Sequence, residues 1–267
     1  MEIRLNLPGP TSERREHSLS VTMRTPGDDF ELAVGFLYTE GVIESSDDVE
    51  EVTYCMGTAK AEQAYNVVSV KLRAGINFDP ELLQRNFYTT SSCGVCGKTS
   101  LEAIETQHCP ILPKGHPIMS MQTVHSLNDQ LRNDQSVFQA TGGIHAAGLF
   151  NAEGELISLR EDVGRHNAVD KVIGEKLLAG ELPLNDYLMM VSGRSSFEIM
   201  QKALVAGIPM VAAVGAPSSL AVDLAREFGM TLLGFVRNGR YNVYAGGARI
   251  ASDVRTDVSV GESIASD

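Results

Sequence analysis

Cysteine is scarce in this chain: only four occur in 267 residues, at positions 55, 93, 96 and 109. So few thiols make no disulfide framework. In a reducing cytosol they read as free thiols, metal ligands or catalytic groups. Positive charge is also short. Lys and Arg number 22 against 34 Asp and Glu, a net charge of −12. That balance excludes nonspecific attraction to nucleic acid or to an anionic membrane, and any anionic ligand must be held by a local basic patch. A long apolar run is missing too. The most apolar stretch, Ala203 to Ala216, is broken by Gly207 and Pro209, and it falls short of the roughly 20 residues needed to span a bilayer. The start, Met1-Glu2-Ile3-Arg4-Leu5-Asn6, lacks the basic residues and apolar core of a signal peptide. A soluble cytoplasmic protein is expected, without nucleic acid or membrane as a partner.

What is present is ordinary for a globular chain, 43% apolar and 21% charged, enough to bury a core. Pro110, Pro113 and Pro117, with Gly115, punctuate the middle and mark the boundary between two halves. We expect an N-terminal α+β domain over 1–117, a second domain over 118–247, and a polar tail over 248–267. Asp28-Asp29-Phe30 opens a helix that stops near Gly41, and Tyr65 to Leu72 alternates as a strand. Asp79-Pro80-Glu81 starts another helix, and Thr99-x-x-Glu102 is a capping box for the next. The second half alternates more cleanly. Helices are expected at Ser120–Gln135, Asn167–Leu178, Ser196–Ala206 and Ser219–Phe228. Strands are expected at Ala146–Asn151, Leu156–Arg160, Tyr187–Val191, Met210–Val214 and Thr231–Val236. Apolar strands alternating with helices imply a parallel sheet covered on both faces.

Two features carry chemistry. The first is Cys93-Gly94-Val95-Cys96-Gly97, flanked by Ser91, Ser92 and Lys98. The glycines let the backbone turn and leave the sulfurs uncovered. The expected helix start near Thr99 and the Lys98 charge both favour thiolate over thiol. Four readings of the pair stay open: zinc ligation, thiol–disulfide exchange, a half-buried structural pair, and persulfide carriage. Zinc is disfavoured because no second Cys-x-x-Cys exists, and His108 and His116 stand too far apart for a ligand pair. We therefore expect no metal.

The second feature is a series of small polar loops at strand ends. Ser192-Gly193-Arg194-Ser195 and Gly215-Ala216-Pro217-Ser218 each follow a strand and precede a helix, which suits phosphate. The next strand ends in Phe235-Val236-Arg237-Asn238-Gly239-Arg240. Its two arginines suit a diphosphate, and Phe235 suits a stacked base. His145 and His166 lie in two further polar segments and are candidates for ligand contact or proton transfer. His145-Ala146-Ala147 invites comparison with the zinc deaminases. Their H-x-E signature lacks its glutamate here, and no cysteine follows Cys109, so deaminase chemistry is excluded.

Taken together, these segments resemble the formate dehydrogenase accessory sulfurtransferase family, known as FdhD. The motifs that carry the resemblance run from Thr90 to Gly97, Thr141 to Ala147, Glu161 to Lys171, Ser192 to Glu198 and Leu232 to Arg240. The resemblance implies a sulfurtransferase that takes persulfide sulfur from a cysteine desulfurase. Its acceptor is the molybdenum bis(guanine dinucleotide) cofactor, held as a bound substrate before that cofactor enters formate dehydrogenase. It maps the persulfide carrier to Cys93, a second thiol to Cys96, and the cofactor-binding stretch to Phe235 through Arg240. It also implies a homodimer, and a cytidine-deaminase-like second domain (a mixed sheet flanked by helices) without the zinc site. Two other functions remain compatible with the residues: a cofactor-binding chaperone and a thiol–disulfide oxidoreductase.

Overall fold

The computed structural model describes residues 1–8, 14–55, 65–76 and 109–251. The expected helices at Asp79 and Thr99 and the Cys93–Cys96 loop lie outside them. The first half builds a four-stranded sheet from β1 (Glu2–Pro8), β2 (Arg14–Val21), β3 (Val49–Tyr54) and β4 (Val67–Leu72), in the order β2-β1-β4-β3. Only β4 was legible beforehand. β2 and β3 are edge strands with many exposed polar residues, so they lack the apolar alternation that announces a half-buried strand. One helix, α1 (Asp29–Thr39), packs Ala33, Val34 and Leu37 onto Ile3, Leu5, Val68 and Val70 of this sheet.

The second half builds a six-stranded sheet from β6 (His145–Phe150), β7 (Leu156–Asp162), β8 (Leu188–Val191), β9 (Met210–Ala213), β10 (Thr231–Arg237) and β11 (Arg240–Ala245). It follows β5 (Met119–Ser120), which pairs with β12 (Ile250–Ala251). The strand order is β11-β10-β9-β8-β6-β7. Only β8, β9 and β10 are parallel; β6, β7 and β11 pair antiparallel. The expected parallel sheet is thus a mixed one, because hairpins rather than helices make the β6–β7 and β10–β11 connections. Alternate strand residues face opposite layers. Met189, Val191, Val211 and Ala213 meet α4 (Arg165–Leu178), α5 (Phe197–Val205) and α6 (Ser219–Glu227). Leu188, Met190, Met210 and Ala212 meet Val124, Leu127 and Leu131 of α2 (Met121–Asp134), which is followed by the short α3 (Ser136–Thr141).

The two halves join through α1 and α4, which cross with almost no space between them. A Cβ on Gly35 would sit 1.9 Å from the Asp170 carbonyl oxygen, and one on Gly174 would sit 1.9 Å from that of Glu31. Beside the crossing, buried Lys202 donates to Asp170 Oδ1 at 2.9 Å and to Thr39 Oγ1 at 2.8 Å. Removing one partner from such a buried pair costs about 3–5 kcal/mol. At the far end of the chain, buried Arg249 donates to the carbonyls of Pro113, His116 and Gly229, fixing the segment that enters β5. No helix among the described residues is long and apolar enough to cross a membrane.

Candidate anion-binding site

Because β8, β9 and β10 run parallel, their carboxyl ends share one edge of the sheet. Hydrogen bonding continues past the strands. Val214 N donates to Val191 O at 3.1 Å, Gly215 N to Gly193 O at 2.9 Å, and Phe235 N to Gly215 O at 3.2 Å. Ser218 N donates to Ser195 O at 3.0 Å. The three loops named from the sequence are thus laid side by side as one surface. Two helices start from it, α5 and α6. Their N-caps, Ser196 and Ser218, accept from Ile199 N and Ala221 N, so each hydroxyl satisfies a free donor of its own first turn.

The named residues differ in what they have left to offer a ligand. Ser192 Oγ accepts from Ala146 N at 2.9 Å while Ser192 N donates to Ala146 O at 3.0 Å. This serine extends the β6–β8 ladder. Ser195 is fully buried and its hydroxyl has no partner among the described residues, an arrangement that costs about 1–3 kcal/mol. Arg194 is exposed and Gly193 half-buried. Within Phe235–Arg240, Asn238 and Gly239 have φ 53° and 64°, and Arg237 pairs with Arg240. This is a two-residue hairpin of the type that needs positive φ at both central residues. Arg237 and Arg240 are therefore cross-strand neighbours on an exposed tip. Like charges placed so repel, and neither has an ion pair among the described residues. Phe235 itself sits at φ 55° in a bulge between Gly234 and Arg237. A positive φ at an aromatic residue is strained, and such strain collects at functional sites. The Arg237 guanidinium carbon lies 5.9 Å from the Phe235 ring centroid. Val236 is buried in the core beneath.

The two histidines come together on the same edge. His145 opens β6, half-buried, and burial pushes its imidazole below the ordinary histidine range; the charges of Arg165 and His166 push the same way. A Cβ on Gly193 would lie 3.4 Å from His145 Nδ1 and 3.7 Å from Arg165 Cδ. His166 Nε2, in the first turn of α4, is 2.9 Å from Glu198 Oε2 and 3.1 Å from Ser196 Oγ. The hydrogen bond from His166 holds the Glu198 carboxyl below the usual carboxylate range, against its burial.

Most of the charged segment around these residues is a frame. Buried Asp162 accepts from Thr25 N at 3.0 Å and from Lys171 Nζ at 2.9 Å through one oxygen. Through the other it accepts from Gly164 N and Asn167 Nδ2, both at 2.9 Å. Asp162, Asn167 and Lys171 thus tie residues 22–25 to the start of α4, which leaves Arg165 and His166 uncommitted to the frame. Sequence reading missed Arg165 and Glu198 as site residues. Glu198 lies one helix away from His166, and the pairing of β7 with β6 and of β6 with β8 brings the two helix starts together.

Cys93 and Cys96 lie outside the described residues. The two described cysteines are held toward the thiol form. Burial first, then the Glu16 carboxylate 3.8 Å away, pushes the Cys55 thiol up, and burial alone pushes up that of Cys109. Both shifts favour the protonated form over the reactive thiolate. Cys109 lines a cleft of about 660 Å³ with Leu112, Lys114, Phe228 and Arg249. Among the described residues, no three His, Cys, Asp or Glu side chains are grouped to hold a metal ion.

A family model, that of the FdhD/NarQ family, matches residues 13–251. This chain belongs to the FdhD/NarQ family. The matched residues include every position of the edge described above, and both Cys93 and Cys96. Among FdhD/NarQ relatives, the chain is 52% identical over 253 residues to the sulfur carrier protein FdhD of Streptomyces avermitilis, covering 94% of this chain and 86% of the relative. It is 53% identical over 236 residues to the protein of the same name in Mycolicibacterium paratuberculosis, covering 87% and 86%. A crystal structure of a "putative formate dehydrogenase accessory protein" from Desulfotalea psychrophila matches with a TM-score of 0.64 at 25% identity, over 94% of this chain and 99% of that one.

Proposed function

We propose that this protein is a cytoplasmic sulfurtransferase that relays persulfide sulfur from a cysteine desulfurase to the molybdenum bis(guanine dinucleotide) cofactor on behalf of formate dehydrogenase. The observation that carries this reading is the 52% identity, over 94% of the chain, with a protein named a sulfur carrier. In the first step the Cys93 thiolate attacks the terminal sulfur of the desulfurase persulfide. A Cys93 S–S bond forms, the desulfurase S–S bond breaks, and the desulfurase cysteine leaves as a thiolate. Cys93 then presents the acquired sulfur to the substrate, with Cys96 as the neighbouring thiol. The raised Cys55 and Cys109 thiols favour a relay that does not use them.

The strand-end surface is the proposed substrate site. Arg194, Arg237 and Arg240 have no ion pair among the described residues, although acidic residues exceed basic ones by 34 − 22 = 12. Holding such arginines on an exposed tip suits diphosphate oxygens. We read residues 118–247 as a cytidine-deaminase-like domain and 1–117 as the smaller α+β domain; helices on both faces of the mixed six-stranded sheet support the former. A homodimer is part of the same proposal, and no resident metal is.

Cys93→Ala tests the relay. Cells carrying it should produce formate dehydrogenase that contains molybdenum but lacks activity. Active, sulfurated enzyme from such cells would overturn the relay and favour a cofactor-shielding chaperone. A reversible Cys93–Cys96 disulfide that reduces or oxidises protein dithiols would favour an oxidoreductase instead.

A further inference from the structure

Arg165 and His166 stand side by side at the start of α4, outside the Asp162 frame. Arg165 makes no ion pair among the described residues, although its charge reaches Glu198, and its buried Nε has no hydrogen-bond partner among them. His166 is held through one ring nitrogen, Nε2, by Glu198 and Ser196. Nδ1 has no partner among the described residues. Beside them Gly193 has space for a Cβ at ordinary contact distance from His145 and Arg165, so the strand-end surface continues into this corner without a side chain in the way.

We propose that Arg165 and His166 form a phosphate subsite of the substrate surface, and that Glu198 is the positioning residue that turns the His166 ring so that Nδ1 is the nitrogen left for the ligand. This rests on the substrate-site reading above. An ionised carboxylate only accepts, so the Nε2 that meets Glu198 carries a proton. That bond sets the tautomer and the ring plane. A phosphate oxygen at Nδ1 is hydrogen-bonded when that nitrogen takes up a proton from solvent as the ligand binds, and Arg165 supplies the planar fork that phosphate prefers. The charged and titratable groups that act on the corner are Arg165 on the same helix, Glu198 and Lys202 on α5, and His145 on β6. Glu198 is engaged by His166 Nε2 and burial keeps His145 toward its neutral form, so the Arg165 guanidinium is the cation on this corner that an anion meets.

Guanosine diphosphate is the probe, and guanosine the phosphate-free control, each titrated into the full chain by calorimetry and by imidazole ¹⁵N NMR. The diphosphate, and not guanosine, should move the His166 Nδ1 resonance toward its protonated position. Glu198→Ala should weaken diphosphate binding about tenfold, the loss of one hydrogen bond to a charged group. Glu198→Gln keeps an oxygen to accept from Nε2–H and should stay within about threefold of the unsubstituted protein. An unmoved Nδ1 resonance at saturating diphosphate overturns the assignment, as does unchanged affinity in Glu198→Ala. If Glu198→Ala fails to fold, the Nδ1 resonance of the unsubstituted protein decides. No diphosphate binding at all overturns both this subsite and the substrate-site reading, while sulfur loading of Cys93, measured separately by mass, would still stand.

Discussion

Gly35 of α1 and Gly174 of α4 touch backbone to backbone. A Cβ on Gly35 would lie 2.8 Å from the Gly174 nitrogen, and one on Gly174 would lie 2.9 Å from the Gly35 nitrogen. This contact holds the four-stranded sheet against the helices that lead to the strand-end surface.

Gly174→Ala tests the contact. In an open helix the change gains about 0.5–1 kcal/mol from backbone entropy. Here the new methyl meets backbone, which cannot rotate away, and overpacking costs about 1–3 kcal/mol. The net is a loss. Urea denaturation should give a lower midpoint, and an equal or higher one would show that the helices separate freely.

The buried pair beside it should respond in a characteristic way. Lys202→Met leaves buried Asp170 without its ammonium partner, and should cost about 3–5 kcal/mol in the same measurement. Lys202→Met with Asp170→Leu removes both charges and should recover most of that loss. A double variant no more stable than Lys202→Met alone would contradict this.

His145 should titrate below a free histidine. Burial is the largest cause, followed by the Arg165 and His166 charges. A depressed histidine favours the neutral folded form. Its contribution to stability is complete above the ordinary value of about 6.5 and is lost as pH falls from there through the folded value. In an NMR titration, Arg165→Gln should move the His145 midpoint up while leaving it below the free value, because burial remains. A midpoint that ignores Arg165 would separate the two side chains.

Arg237→Ala and Arg240→Ala should each weaken guanosine diphosphate binding about tenfold, as expected for one charge-assisted contact. Calorimetry at fixed ionic strength reads this directly. Unchanged affinity in both would remove the hairpin tip from the substrate site.

Much of this was legible in the sequence, for reasons that differ by element. The helices α2, α4, α5 and α6 and the strands β8 to β10 announce themselves through apolar periodicity and through Ser120, Ser196 and Ser218 as caps. The edge strands β2 and β3 do not, because edges are polar. Arg237 and Arg240 suit a diphosphate in the sequence, yet Asn238-Gly239 between them is a hairpin turn, and that turn makes the two arginines cross-strand partners. The Arg160–Asn167 segment packs polar and charged residues around Gly164. Only the fold divides it into the Asp162 frame and the Arg165–His166 pair, since the division depends on Thr25, 137 positions from Asp162 in the chain.

The central claim is that Cys93 carries sulfur. Incubate the full chain with cysteine and a cysteine desulfurase, then measure its intact mass without reductant. The predicted result is the gain of one sulfur atom, lost on reduction, and absent from Cys93→Ala but present in Cys55→Ala and Cys109→Ala. An unchanged mass, or a gain that survives in Cys93→Ala, would contradict it.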